Sequence, residues 1–272
     1  MTALGEHDPA AAGAAPPLAF DRLGAGPPLL LLHGLGGERH VWEPVLAPLA
    51  AHRELIVPDL PGFGASPPLP DGDGAGPPTP AALAAAVAAL LDRLGIERPA
   101  VAGNSLGGWV ALELAVAGRA RSVAALCPAG FWSRPLAPGS DRARRLARAL
   151  RPLVPALVHV APLRRAALAS NVAHPERVPP RAAARMIRTY GDAPGFAAVN
   201  AAMRAGRFDP AQLTAAAPVP VTLAWGEHDR LIRPPRTLPD GAESLVLPGC
   251  GHLPMWDDPA LVAEVVLRAS AT

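Results

Sequence analysis

Short, continuous apolar runs alternate with longer segments of helical period along most of this chain. The strand-like runs are Leu18–Leu23, Pro28–His33, Leu55–Pro58, Pro99–Asn104, Val123–Cys127, Val219–Trp225 and Glu243–Leu247. Most are apolar at every position, as in strands covered on both faces. Helical patterns lie between them at Val41–Ala50, Ala81–Leu94, Leu106–Ala117 and Ala260–Ala269. Thr79 and Pro80 supply an N-cap and a first-turn proline for the second of these, and Gly118 a left-handed stop for the third. Strand alternating with helix predicts a doubly wound, mostly parallel α/β sheet with right-handed crossovers.

The alternation stops between Phe131 and about Gly206. That stretch carries Ala/Leu/Arg segments of helical period, with Ala143, Leu146, Ala147 and Leu150 on one face and Arg144, Arg145, Arg148 and Arg151 on the other. It reads as a helical cap, residues 131–206, inserted after the strand ending at Cys127 into a core formed by 1–130 and 207–272. Pro67–Pro78 reads as an aperiodic Pro/Gly/Asp loop, and residues 1–15 as a disordered tail. The cap holds 13 arginines against 3 acids, a net of +10, and the rest 12 arginines against 20 acids, a net of −8. The overall charge of +2 conceals this polarity.

Gly103-Asn104-Ser105-Leu106-Gly107 fits G-x-S-x-G at a predicted strand-to-helix handover. Such a turn strains its serine and exposes the hydroxyl at the carboxyl end of the sheet. A serine needs a base within reach, and the base needs an acid that holds its tautomer. Asp229 follows the strand ending at Trp225, with Glu227 and His228 as local rivals, and His252 follows the strand ending at Leu247. Upstream, Leu29–Leu32 opens into His33-Gly34-Leu35-Gly36-Gly37, a turn able to aim a backbone N–H at an oxyanion. The N–H groups of Leu35 and Leu106 would form a two-donor hole, worth roughly 3–4 kcal/mol per donor in the transition state.

Composition removes other chemistries. The chain has no lysine, which excludes Schiff bases, pyridoxal-phosphate anchors, lipoyl attachment and a P-loop. Its glycine-rich stretches fail the dinucleotide fingerprint, and no histidine pair has metal-ligand spacing. No cofactor and no metal is expected. Cys127 and Cys250 read as small buried side chains rather than a disulfide framework. Glu6 and Asp8 stand where a signal peptide would be basic and then apolar, and no apolar run reaches spanning length, so a cytoplasmic protein without a membrane span is expected.

These motifs resemble the α/β-hydrolase-fold superfamily. His33-Gly34-Leu35-Gly36 is similar to its H-G-x-G turn, Asp59-Leu60-Pro61-Gly62-Phe63-Gly64-Ala65-Ser66 to its D-x-x-G-x-G-x-S segment, Gly103–Gly107 to its nucleophile elbow, Gly226–Asp229 to its acid loop and Gly251-His252 to its terminal G-H. The resemblance covers about 17–130 and 207–272. It implies an eight-stranded sheet and a catalytic triad of Ser105, Asp229 and His252. Asn104 and Trp256 resemble the subgroup that hydrolyses carbon–carbon bonds of meta-cleavage products, whereas Leu253 departs from it. Relatives acting on haloalkanes and epoxides use a carboxylate nucleophile, and residue 105 is serine. His33 and the Asp59–Ser66 segment read as structural supports of the oxyanion turn.

The expected activity is cofactor-free serine hydrolysis of a small to medium ester, thioester or related carbonyl compound through an acyl-enzyme. Carbon–carbon bond hydrolysis or perhydrolysis at the same site, and a non-catalytic ligand-binding protein, are the alternatives. Gly34, Asn104, Trp109, Trp132, Arg185, Arg188 and Trp256 are candidate substrate contacts, and Phe131 is a further candidate for the pocket wall. Arg185 or Arg188 would clamp a substrate carboxylate. The expected partner is a small molecule, not nucleic acid, with a homodimer left open.

Overall fold

A computed structural model describes residues 17–70, 76–137, 141–215, 219–235 and 237–271. The expected tail, and part of the Pro67–Pro78 loop, lie outside them. The strands are β1 (Phe20–Leu23), β2 (Pro28–Leu32), β3 (Glu54–Pro58), β4 (Ala100–Asn104), β5 (Ser122–Leu126), β6 (Val221–Gly226) and β7 (Glu243–Leu247). The helices are α1 (Glu43–Ala50), α2 (Pro80–Arg93), α3 (Leu106–Val116), α4 (Arg142–Ala149), α5 (Val154–Leu157), α6 (Ala161–Leu168), α7 (Pro180–Asp192), α8 (Phe196–Ala205), α9 (Ala211–Ala215), α10 (Pro254–Asp257) and α11 (Pro259–Ala269). Thr79 Oγ1 accepts from the Ala82 N–H and caps α2, and Gly118 takes φ 71° just beyond α3.

One sheet of order β1-β3-β2-β4-β5-β6-β7 carries the fold, parallel except for β1, which runs antiparallel to β3. It has seven strands among the described residues, not the eight that the resemblance implied. Each of the seven apolar runs forms one strand. In front of β1, Ala19 directs its N–H to Ser66 Oγ rather than to a strand partner.

The continuous apolar runs conceal a period of two. In β2, Leu30 and Leu32 pack with α2 and α3 in one core, while Leu29 and Leu31 pack with α1 and α11 in the other. A strand between two helical layers needs apolar residues at both phases, and this is why β2 reads as a run of leucines. No helix among the described residues is long and apolar enough to cross a membrane.

Between β5 and β6 the described residues are helical and carry no strand. Their buried side chains join the two sheet-flanking cores: Phe196, Val199 and Met203 on one side, Val154, Leu168 and Ala183 on the other. The two-faced reading of α4 needs correction. Leu146 is 59% exposed, whereas Arg144 turns inward over the Phe196 ring at 5.3 Å and donates to the Ala193 carbonyl. The backbone of α4 lies against Gly191 of α7, so the aliphatic stem of an arginine fills a position expected for an apolar side chain.

Candidate active site

The carboxyl ends of β4, β5, β6 and β7 lie side by side, with Asn104 level with Leu126 and Gly226 level with Leu247. Every expected triad residue sits just beyond one of these ends. Ser105 adopts φ 56° and ψ −117°, a left-handed backbone that a non-glycine residue holds only when its surroundings impose it. Its N–H donates to the Leu126 carbonyl at 2.9 Å, and its own carbonyl accepts from Ala129 and Trp109. The flanking glycines are required by contact: a Cβ on Gly103 would collide with the Gly107 carbonyl, and one on Gly107 with that of Leu32.

Asp229 and His252 form a directed pair. His252 Nδ1 lies 2.8 Å from Asp229 Oδ2, and the side chains are 7% and 2% exposed for the histidine and the aspartate. The N–H groups of Leu231 and Ile232 hold the other carboxylate oxygen at 2.7 and 3.0 Å. Burial raises the Asp229 carboxyl, but its bond to His252 and the two backbone donors outweigh this and keep it below its ordinary range. A carboxylate so fixed accepts from Nδ1–H, which leaves Nε2 of the imidazole free as a base. The rivals are engaged otherwise: Glu227 Oε2 accepts from the Gly249 N–H, and His228 is exposed.

The base loop is tied to the elbow by Asn104. This fully buried amide donates through Nδ2 to the carbonyls of His252 at 2.8 Å and Leu126 at 3.2 Å. Gly34 presses on the same spot, since a Cβ there would lie 3.1 Å from Ser105 Cβ. The turn expected to hold the oxyanion therefore sits directly on the serine, with Leu35 next along the chain and Leu106 opening α3.

His33 builds that turn. Its Nε2 accepts from the Leu60 N–H at 2.9 Å, so Nδ1 carries the proton and donates to the Gly34 carbonyl at 2.8 Å. Burial lowers its pKa and keeps the ring neutral. Beneath it, the buried Asp59 carboxylate accepts from the N–H groups of Arg39 and Ala65, both at 2.8 Å, and pairs with the Arg39 guanidinium. Ser66 Oγ donates to the Asp59 carbonyl at 2.7 Å.

The expected substrate contacts divide. Trp109 and Trp132 stack edge to face at 5.6 Å, with their indole N–H groups bonded to Glu113 and to the Gly206 carbonyl. Phe131 packs beside them against Phe208 and Trp225. The carboxylate clamp is corrected: Arg185 Nη1 pairs with Glu43 Oε2 at 2.9 Å, and Arg181 with the other oxygen at 2.7 Å. A carboxylate at the start of α1 thus takes up both cations of α7. Arg188 is exposed. Trp256 is corrected too, for its indole N–H donates to the Val41 carbonyl in the core facing α1 and α11.

Two residues escaped motif reading. Asp257, 3% exposed, accepts from the N–H groups of Gly251, Ala173 and His174 at 2.7, 3.0 and 2.7 Å. It fastens the base loop to the segment between α6 and α7. Cys127, at φ 47°, accepts from the Gly226 N–H through sulfur at 3.3 Å. Donor atoms of Cys127, Asp229 and His252 lie within 4.8 Å of one another, a set of metal-binding residue types. Their chemistry fits a metal poorly: burial and the Asp229 charge push the thiol well up, and the carboxylate and imidazole already engage each other. Burial raises the Cys250 thiol to about 12. An open cleft of about 300 Å³, lined by Arg165, Val172, Pro175 and Arg230 among others, lies beside the acid loop; neither Ser105 nor His252 lines it.

A model of the Alpha/beta hydrolase family matches residues 29–265. An epoxide hydrolase of Mycobacterium tuberculosis is 34% identical over 203 residues, 68% of this chain and 92% of that protein. A pimeloyl-[acyl-carrier protein] methyl ester esterase of Aeromonas salmonicida is 41% identical over 99 residues, only 36% of either chain. A thermophilic esterase structure from Thermogutta terrifontis superposes with a TM-score of 0.69 at 27% identity and covers 94% of both chains.

Proposed function

The chain belongs to the alpha/beta hydrolase family, and from that premise we propose that it is a serine hydrolase of small to medium carboxylic esters or thioesters. One observation carries the proposal: the buried Asp229–His252 pair, 2.8 Å apart, is tied through the His252 carbonyl to the side-chain amide of Asn104, the residue that precedes the strained Ser105. The likeness of part of the chain to a methyl ester esterase, and of its fold to a thermophilic esterase, supports the substrate class.

Ser105 Oγ attacks the carbonyl carbon as His252 Nε2 takes its proton, and Asp229 stabilises the imidazolium. The N–H groups of Leu35 and Leu106 receive the oxyanion. The imidazolium returns the proton to the departing alkoxide or thiolate and leaves an acyl-serine. His252 then deprotonates a water that attacks the acyl carbon, and the proton returns to Ser105 as the acid leaves. Residues 131–206 act as a cap: Tyr190 and Phe196 abut Gly36 of the oxyanion turn, where a Cβ would lie 2.7 Å from the tyrosine ring. They would shield the intermediate from bulk water.

An epoxide hydrolase among the relatives offers a second chemistry, but a serine stands where that reaction, by the resemblance above, uses a carboxylate. The test is fluorophosphonate labelling with a panel of p-nitrophenyl esters, epoxides and vinylogous diketones. Labelling and ester turnover should both vanish in Ser105→Ala with the circular dichroism unchanged. Turnover of diketones alone would move the assignment to carbon–carbon hydrolysis. Failure of folded wild type to label would leave a ligand-binding protein.

A further inference from the structure

Seven large hydrophobic side chains are exposed among the described residues, and four lie within 27 residues of the cap: Leu146, Leu153, Val160 and Leu163, each 48–59% exposed. Residues 142–168 also carry seven arginines and no acid. Helices α4, α5 and α6 each contact α7, so one side of each is taken, and the exposed leucines and valine lie on or beside what is left uncovered. Arg145, Arg148 and Arg165 are exposed in the same stretch of chain as these side chains. A solvated helical face needs no such leucines, and an apolar patch of this kind marks a contact surface.

We propose that the outer face of α4–α6 docks on the surface of an anionic lipid bilayer. The chemistry favours lipid over an acidic protein. Leucine and valine interleaved with cations of one sign match a headgroup layer, where apolar side chains enter the acyl boundary and guanidinium groups meet phosphates. Arg144, the arginine that turns inward, links this face through Phe196 to Gly36 of the oxyanion turn. Docking therefore sets the cap against the membrane with the site behind it. The inference goes beyond the hydrolase reading and does not require it.

The test is cosedimentation of the full chain with vesicles of equimolar phosphatidylglycerol and phosphatidylcholine, against phosphatidylcholine alone. Wild type should pellet with the anionic vesicles and be released at high salt, where screening shortens to about 3 Å near 1 M. R145Q/R148Q/R165Q should weaken partitioning about fivefold per charge, on the order of a hundredfold together. L146S/L153S/L163S should weaken it while retaining the salt dependence. Ser105→Ala should bind as wild type does, which separates this result from any failure of the catalytic proposal. Equal binding to neutral vesicles, an unaffected arginine variant, or self-association by light scattering without vesicle binding would each overturn the assignment.

Discussion

Replacing Asp257 by asparagine removes one oxygen and one charge from a buried carboxylate that receives three backbone N–H groups. The remaining oxygen can retain Gly251 and Ala173, the pair that shares Oδ2. The new NH2 group then faces the His174 N–H, donor against donor. Losing one charge-assisted bond costs about 2 kcal/mol, and turning the other two into neutral bonds about 1 kcal/mol in sum. The expected loss is therefore about 3 kcal/mol, a fall of roughly 6–12 °C in Tm for a chain of this size. Urea unfolding should show a lower midpoint at unchanged slope. Gly251 precedes His252, so kcat for a soluble ester should drop about tenfold or more at little change in KM. Asp258→Asn is the control. That side chain caps α11 by accepting from the Leu261 N–H, and asparagine caps nearly as well. If Asp257→Asn lost less than about 1 kcal/mol and retained wild-type kcat, the fastening role would be refuted.

Two other outcomes follow from the same bonds. His33 is held below its ordinary pKa of 6.5 by burial, so the unfolded chain binds its proton more readily. Stability from this group is complete above that value and declines as pH falls below it; urea melts across the range should show the slope, reduced in His33→Asn. Arg185→Ala breaks a partly exposed pair with Glu43, which keeps Arg181, so the cost should stay under about 1 kcal/mol. The ratio of kcat/KM for anionic over neutral esters should not move, and a tenfold fall would show that the guanidinium reaches substrate after all.

The strands and the elbow were legible because their causes are local. Period, continuous apolar runs and a serine flanked by glycines are properties of neighbouring residues, and β2 or Gly103–Gly107 shows them without any fold. That Ser105, Asp229 and His252 each follow the end of a strand was legible too, because parallel strands align their carboxyl ends whatever is inserted between β5 and β6. What the chain order left open was partner choice over long separations. Arg185 turns to Glu43, Trp256 to the Val41 carbonyl, and Asp257 to backbone 83 and 84 residues away. No spacing rule predicts these contacts, because a charged or polar group takes whichever complement the folded backbone brings within about 3 Å. The sequence by itself determined the sheet, the two helical layers and the residue types at its rim. Only the tertiary structure decided which of those residues face one another, since burial makes an unmatched polar group costly and favours the arrangements that pair it.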